Sequence, residues 1–231
     1  MRSWSAKILA ARRVTQDNQG KKTAGVDGVK SLTPKKRLEL VSELRTNNKV
    51  KPTRRIWIPK PGTEEKRPLG IPIMYDRALQ ALVKLALEPE WEALFEPNSY
   101  GFRPGRRPHD AIEAIYQAIN KKSKYVLDAD IAKCFDRIDH KALLEKLNTF
   151  PWRGSADRVL CPPTPGTIRR QVRAWLQAGV MDNGAFSKTS EGTPQGGVIS
   201  PLLANIALHG MENRIKEFAL TLDKKKSKGN G

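Results

Sequence analysis

Two aspartates, placed two residues apart, are the residues of this chain best suited to chemistry. Asp128 and Asp130 alternate with valine, leucine and isoleucine in YVLDADI, residues 125–131. This alternation predicts a short β-strand with both carboxylates on one face. Such a strand needs cations if it is buried, because an unpaired buried carboxylate is very costly. Three explanations stay open from this stretch alone: a Mg²⁺ site, ion pairs with lysines and arginines, or acids that cap the following helix.

The composition favours a polyanionic partner. The 231 residues include 42 Lys and Arg against 24 Asp and Glu, which gives a formal charge of +18 and a pI near 10.1. An excess of this size predicts attraction to nucleic acid but does not specify a fold. No apolar run approaches the roughly 20 residues that cross a bilayer, and no secretory signal is recognisable. Two cysteines without metal or redox spacing fit a reducing compartment, so we expect a cytoplasmic protein that does not bind membranes.

A basic β-hairpin is predicted over residues 53–72, TRRIWIPKPGTEEKRPLGIP, where two extended runs flank a Pro-Gly turn. Arg54, Lys60 and Arg67 could converge from its two arms on one phosphate group. Arginine offers a bidentate fork and lysine a point charge, which together suit a triphosphate. The alternative is a solvated edge hairpin that its charges protect from aggregation.

A second basic segment interleaves arginines with aromatic residues. In NSYGFRPGRRPHD, Tyr100 and Phe102 precede or flank Arg103, Arg106 and Arg107. Aromatic rings beside arginines suit stacking and backbone contacts with single-stranded nucleic acid, so these arginines are candidate nucleic-acid contacts. The alternative is a packed loop that the two aromatic residues anchor.

Apolar spacing and capping residues, with Thr33 before the second helix and Asp139 before the fifth, predict the helices that frame these segments. They cover residues 2–14, 34–47, 76–88, 111–120, 140–147 and 167–179, and a further helix starts at Ser200. Residues 148–166 are rich in proline and predict a loop, and MDNGAFSKTSEG predicts a polar turn. Residues 223–231 have the composition of a disordered basic tail.

Five motifs follow one another from about residue 23 to residue 211. They are AGVDG, RRIWIPKPGTEEKRPLGIP, NSYGFRPGR, LDADIAKCFDRIDH and GTPQGGVISPLLANIAL. In this order they resemble reverse transcriptases, most closely the enzymes encoded by bacterial group II introns. The resemblance implies an α+β fold of the right-hand polymerase type, mostly helical. Residues 1–120 would form the fingers with their β-hairpin, and residues 121–222 an incomplete palm with a small antiparallel sheet.

The resemblance also implies a metal site and a substrate filter. Asp130 and the backbone carbonyl of Ile131 would bind two Mg²⁺ ions, one for the primer 3′-hydroxyl and one for the triphosphate and leaving group. Phe135 would be the steric gate, whose ring collides with a ribose 2′-hydroxyl and so selects deoxynucleotides. Asp128 has no counterpart in the family and is expected to act as a structural or supporting acid.

By the same resemblance, two further groups of residues would contact the nucleotide. Arg54, Lys60 and Arg67 would grip the incoming triphosphate from the fingers. Gln195 and Gly196 would form the turn beside the nascent base pair. The implied partners are an RNA template or intron RNA, a DNA primer and deoxynucleoside triphosphates.

The chain also departs from the family's pattern. No Asp-Asp pair occurs in it, whereas the family's second acidic motif, an aromatic residue followed by Ala-Asp-Asp, is expected after the PQGG helix. Residues 152–166, WRGSADRVLCPPTPG, resemble an insertion. We therefore expect a truncated polymerase that is inactive alone and that a C-terminal chain could complement. The alternatives are a non-catalytic RNA-binding remnant and a CRISPR-linked or diversity-generating reverse transcriptase.

Overall fold

The computed structural model describes residues 2–121, 123–124, 126–149 and 165–228, which contain eight α-helices, four strands and three short π- or 3-10-helical turns. The helices are α1 (Trp4–Arg12), α2 (Pro34–Glu43), α3 (Met74–Glu92), α4 (Pro108–Ile119), α5 (His140–Thr149), α6 (Pro165–Leu176), α7 (Ser200–Leu208) and α8 (Met211–Lys228). The strands are β1 (Thr53–Pro59), β2 (Lys66–Ile71), β3 (Val180–Asp182) and β4 (Ala185–Ser187). The α+β class is thus confirmed, with helix predominating.

The four strands form one mixed sheet in the order β2-β1-β3-β4. β1 pairs antiparallel with β2, so the predicted basic hairpin is confirmed, and Ile58 lies opposite Arg67. β1 also pairs in parallel with β3, which turns back into β4. The β3–β4 hairpin replaces the predicted polar turn. Asn183 and Gly184 have φ values of 46° and 87° there, as a two-residue hairpin turn of mirror-image type requires.

One cluster of buried apolar side chains joins the two halves of the chain. Leu79 and Leu82 of α3, Leu143 of α5 and Leu203 of α7 are at most 2% exposed and belong to it. The cluster draws on α1, α2, α3, α5, α6 and α7, because each of these helices turns its apolar stripe inward, whereas no residue of α4 is buried. The division into fingers and palm near residue 120 stays a prediction.

Local signals set where several helices begin. The Thr33 hydroxyl accepts a hydrogen bond from the Lys36 amide at 3.4 Å, and the Asp139 carboxylate accepts one from the Ala142 amide at 2.6 Å, so both predicted caps are confirmed. At the C-terminal end, α8 continues to Lys228, so residues 223–228 are helical where disorder was predicted. None of the helices in the described ranges is long and apolar enough to span a membrane.

The prediction of a strand at residues 125–131 is wrong for the part that the structure describes. Its described part, residues 126–131, has no strand structure, and Val126 and Leu127 are 76% and 81% exposed. A strand is stable only beside hydrogen-bonded neighbours, and no described strand pairs with this segment. The small antiparallel palm sheet expected to carry Asp130 is therefore not present in the described residues. Most of the predicted loop and insertion, residues 150–164, lies outside them.

A buried aspartate makes the core sensitive to pH. Asp76 of α3 is 1% exposed, and its Oδ1 accepts a hydrogen bond from the indole of Trp175 at 3.3 Å. Burial raises the pKa of Asp76 to about 6, although hydrogen bonds from Trp175 and from the Lys51 backbone act in the opposite direction. The folded state therefore favours the protonated acid. The contribution of Asp76 to the free energy of unfolding is therefore fully present below its ordinary pKa near 3.8. It is lost as the pH rises through the folded-state pKa of about 6.

Replacing this acid with its uncharged amide should stabilise the protein at neutral pH. We expect Asp76→Asn to raise the unfolding free energy by about 2 kcal/mol at pH 8 and by much less at pH 4, in urea titrations. Asp128→Asn serves as the control, because Asp128 is exposed and its substitution should give no such pH dependence. The same gain from Asp76→Asn at both pH values would contradict this account.

Candidate active-site cleft

A cleft of about 1090 Å³ lies between the β1–β2 hairpin, the turn that follows Asp130, and the glycine-rich loop before α7. Lys60, Arg67, Asp130 and Gln195 all line it. Four of the residues predicted from the sequence to form a site are thus brought together from segments more than sixty residues apart. Six cationic and four acidic side chains line the same walls, so the cleft can receive an anion beside carboxylates.

The loop before α7 is fastened to the segment that follows Asp130. The Gly192 amide donates to the Ile138 carbonyl at 2.8 Å, and the Thr193 amide donates to the Phe135 carbonyl at 2.7 Å. The carbonyl of Gly192 lies 2.6 Å from Nε2 of His140. A carbonyl can only accept, so Nε2 carries the proton in this contact. These three hydrogen bonds fix one wall of the cleft against another.

The same loop is also fastened to the β1–β2 hairpin and to α3. The Gly70 amide of β2 donates to the Gln195 carbonyl at 2.7 Å. Gln80 of α3 accepts from the Val198 amide at 2.9 Å, and the Ser200 hydroxyl donates to the Pro194 carbonyl at 2.9 Å. The loop is therefore held on both sides and sets the width of the cleft.

Asp130 lies on an exposed turn rather than on a buried strand. Lys133 has a φ of 53°, and the 3-10 turn Cys134–Asp136 follows. Burial, and then the nearby charge of Asp130, raises the pKa of the Cys134 thiol. Asp136, which sequence reasoning did not single out, lines the same cleft and accepts a hydrogen bond from the Gln195 side chain at 3.4 Å. The sequence did contain a signal for Asp136, because this residue lies six positions after Asp130 in the same LDADIAKCFDRIDH motif.

Asp130 and Asp136 supply only part of the ligands that a divalent cation needs. Within the described ranges, no group of three or more His, Cys, Asp or Glu side chains could hold a metal ion. Mg²⁺ commonly takes one or two protein carboxylates and completes its octahedron with water and substrate phosphates. Asp130 and Asp136 supply that number of carboxylates. They do not form a site that binds Mg²⁺ strongly without a phosphate ligand.

Two of the three predicted phosphate-binding cations lie at the cleft. Lys60 forms an ion pair of 2.5 Å with Glu65, and this hydrogen bond and the lysine charge lower the pKa of Glu65. Arg67 is exposed. Arg54 differs, because it is not among the described residues that line the cleft. Its Nε is buried without a hydrogen-bond partner in the described structure, and its neighbour Arg55 faces the cleft instead, since successive strand residues alternate.

Three other predicted site residues lie just outside the cleft lining. Phe135 is half-buried against the core, and its ring contacts that of Phe102 edge-on at 6.0 Å. Gly196 has a φ of 111°, and a side chain there would approach the carbonyl of Gly70 to 3.0 Å. Ile131 lines a smaller apolar pocket on the other side of the turn.

One expectation for the arginine-rich segment before α4, that Arg103 contacts nucleic acid, does not agree with its burial. Arg103 is 6% exposed, and its guanidinium donates to the carboxylate of Glu92 at 2.6 Å and to two backbone carbonyls at 2.8 Å. It therefore anchors the loop and is not available to a phosphate. Arg106 is half-buried above the ring of Tyr100, at 5.2 Å, and only Arg107 of the three is exposed.

The β1–β2 hairpin brings cations into one cleft with Asp130, and comparison with known families shows to which family the chain belongs. Residues 58–227 match the family described as reverse transcriptase (RNA-dependent DNA polymerase). Residues 1–44 match the N-terminal domain of reverse transcriptase. The chain therefore belongs to the reverse transcriptase family, whose members generally use divalent metal ions.

Its relatives include proteins encoded by group II introns. The chain is 34% identical over 226 residues to protein YkfC of Escherichia coli, covering 93% of this chain and 55% of YkfC. It is 32% identical over 210 residues to the group II intron-encoded protein LtrA of Lactococcus lactis, covering 90% of this chain and 33% of LtrA. The chain thus spans between about a third and about half of the length of these relatives.

A solved structure shares the fold. It belongs to a partial Cas6-RT-Cas1–Cas2 complex and is 21% identical in sequence. The match has a TM-score of 0.51 and covers 89% of this chain and 33% of the other chain. At this level of identity the likeness concerns the fold alone.

Gly192 should be a position where no side chain is tolerated. It has a φ of 80°, and an added Cβ would lie 2.6 Å from the carbonyl oxygen of Asp136 and 2.8 Å from that of Phe135. We expect Gly192→Ala to lower the unfolding free energy by about 3 kcal/mol in chemical denaturation, from backbone strain plus the clash.

Gly184 offers the matched control. Its φ is 87°, but an added Cβ would meet nothing within 4 Å. Gly184→Ala should therefore cost about 1 kcal/mol, from backbone strain alone. Equal losses in the two variants would show that the close approach at Gly192 does not constrain the loop.

Proposed function

We propose that this chain holds the incoming deoxynucleoside triphosphate in RNA-templated DNA synthesis, as part of a reverse transcriptase of the group II intron type. The observation that carries the proposal is the single cleft lined by Lys60, Arg67, Asp130 and Gln195. Cations on one wall suit a triphosphate, and a carboxylate on the opposite wall suits the reacting end of that group. An RNA template or intron RNA and a DNA primer are the proposed polymer partners, with the exposed Arg107 as one contact. We place this activity in the cytoplasm, where these substrates occur.

The hairpin cations would bind the phosphates by exchanging partners. Lys60 is engaged by Glu65 without a nucleotide, and both residues lie in the turn that joins β1 to β2. A triphosphate carries more charge than one carboxylate and would displace Glu65 from the lysine. Arg67 would add a bidentate contact. Arg54 is left out of this proposed set because its side chain is on the opposite face of β1.

On the opposite wall, Asp130 with the Ile131 carbonyl would hold Mg²⁺, and Asp136, which lines the same cleft, would assist. When bound, the ion would neutralise phosphate charge and favour ionisation of the primer 3′-hydroxyl. Gln195 donates to Asp136 and so orients that carboxylate in the cleft. Phe135 remains the proposed steric gate, and Gly196 the proposed neighbour of the base pair, at the rear of the same loop and turn.

We further propose that a strand-forming polypeptide segment with additional carboxylates packs on residues 126–131. Val126 and Leu127 are largely exposed, and the backbone of this segment has no strand partner in the described structure. None of the residues of α4 is buried either, although Ile112, Ile115 and Ile119 line one side of it. The segment can belong to a separate chain or to further residues of the same one. Its carboxylates would join Asp130 and Asp136 as ligands of the metal ion.

Primer extension on an RNA template tests this function. The chain is assayed with Mg²⁺ and deoxynucleotides, alone and with an added polypeptide that carries the Ala-Asp-Asp motif of a relative. We expect extension with the added polypeptide, and Asp130→Asn should reduce the rate more than about 100-fold. Asp128→Asn is the control and should retain the wild-type rate within about threefold, because Asp128 is exposed and does not line the cleft.

The formal charge of +18 favours one other function, which is binding of intron RNA without catalysis. This candidate predicts RNA binding that weakens steeply with salt, no extension under any condition, and no effect of Asp130→Asn. Extension that depends on Asp130 would exclude it.

A further inference from the structure

An exposed tryptophan in the wall of the cleft has no role in the proposed nucleotide contacts. Trp57 lies on β1, lines the cleft, and is 48% exposed. Its indole Nε1 donates a hydrogen bond to Oδ2 of Asp182 on β3 at 3.2 Å. The guanidinium carbon of Arg55, two residues away on the same face, lies 5.7 Å from the centre of the ring. A large apolar ring therefore faces a polar, charged cleft.

The ring is held in one orientation before any ligand arrives. Trp57 is paired with Pro68 of β2, and β3 pairs with β1 only at Thr53 and Arg54, which brings Asp182 within reach of the indole. The hydrogen bond that the indole donates to Asp182 fixes the edge of the ring, and Arg55 lies against the ring from the same strand face. A ligand that stacks on the exposed part would lose little affinity to ordering of the protein.

The hydrogen bond of the Trp57 indole and the charges around it limit which ligands can stack on the ring. Because Asp182 already satisfies the only polar atom of the indole, the ring offers apolar surface and no hydrogen bond to read a sequence. Lys66, Lys133 and Arg137 line the same cleft, so a partner with negative charge between its planar groups is favoured. An unpaired nucleobase within a phosphodiester chain has both properties.

We propose that Trp57 is a stacking platform for an unpaired base of single-stranded RNA that passes through the cleft. The choice of RNA as the polymer rests on the proposed function; the stacking itself rests on the ring and its surroundings. Trp57 would thus hold the template strand before it reaches the nucleotide, without preference for one base. Arg55 and Asp182 act as positioning residues for the ring.

Binding of two oligomers by the full chain tests the proposal, with fluorescence anisotropy as the readout. One is a single-stranded RNA of mixed sequence, and the other is an abasic phosphodiester chain of the same length and charge. We expect Trp57→Ala to weaken RNA binding roughly tenfold and to leave the abasic chain unaffected, since only the first can stack. Trp57→Phe should stay within about threefold of wild type for RNA.

Two controls separate stacking from charge and from loss of structure. Trp4→Ala removes a tryptophan of similar exposure, 52%, on α1, and should leave both affinities unchanged. Trp57→Ala should keep the wild-type slope of log affinity against log salt, whereas Lys66→Ala should reduce that slope by about one. If Trp57→Ala does not fold, the emission of wild-type protein decides: RNA should quench it, and the quenching should be smaller in Trp57→Phe.

Three results would overturn the proposal: unchanged RNA affinity in Trp57→Ala, equal losses for RNA and the abasic chain, or the same quenching in wild type and Trp57→Phe. None of these measurements involves DNA synthesis. Failure of the stacking platform is therefore distinguishable from failure of the proposed polymerase function, which the extension assay reports.

Discussion

The close approach of the Gly192–Gly197 loop to its two neighbours is the constraint on which the cleft depends. On one side the loop shares four hydrogen bonds with residues 135–140, and on the other it accepts a hydrogen bond from the Gly70 amide of the β1–β2 hairpin. Gly192 fits only because it has no Cβ, since one would overlap the backbone of Asp136. Without this double attachment, nothing in the described sheet would hold the hairpin opposite the turn of Asp130.

The attachment is rigid because its supports are buried. Gln80 of α3 is 2% exposed and accepts the Val198 amide, and the buried Ser200 begins α7 directly after the loop. Leu203 and Ile206 then enter the same core as Leu79, so the loop is continuous with the most buried part of the protein. The groups proposed to bind substrate are more accessible: Arg67 and Asp130 are exposed, and Lys60 and Gln195 are half-buried. Folding energy comes from the helices behind the cleft, and the cleft itself is free to exchange ion pairs such as that of Lys60 with Glu65.

Sequence signals that act over a few residues predicted their elements well. The basic hairpin and the caps at Thr33 and Asp139 follow from turn and capping chemistry, which is local. The β3–β4 hairpin was missed even though Asn183 and Gly184 form a strong local hairpin signal, because the short strands around them have little alternation.

Features that depend on distant neighbours were predicted less well. Residues 126–131 alternate like a strand, yet no described strand pairs with them, so the pattern alone could not fix the structure. The burial of Arg103 depends on Glu92, which no spacing rule connects to it. Arg54 and Arg55 are adjacent in sequence, and which one faces the cleft depends on the register of β1 against β2 and β3. The grouping of Lys60, Arg67, Asp130 and Gln195 followed from family resemblance, since composition and periodicity do not relate such distant residues.

Hydrogen–deuterium exchange of the full chain tests most directly whether the three walls form one nucleotide site. Exchange is compared with and without a template–primer, Mg²⁺ and a matching deoxynucleoside triphosphate. The account predicts that adding the triphosphate slows exchange together in residues 66–70, 130–136 and 192–197, because one ligand would contact the hairpin, the aspartate turn and the loop. Slower exchange in the hairpin alone, or unchanged exchange in all three segments, would contradict it.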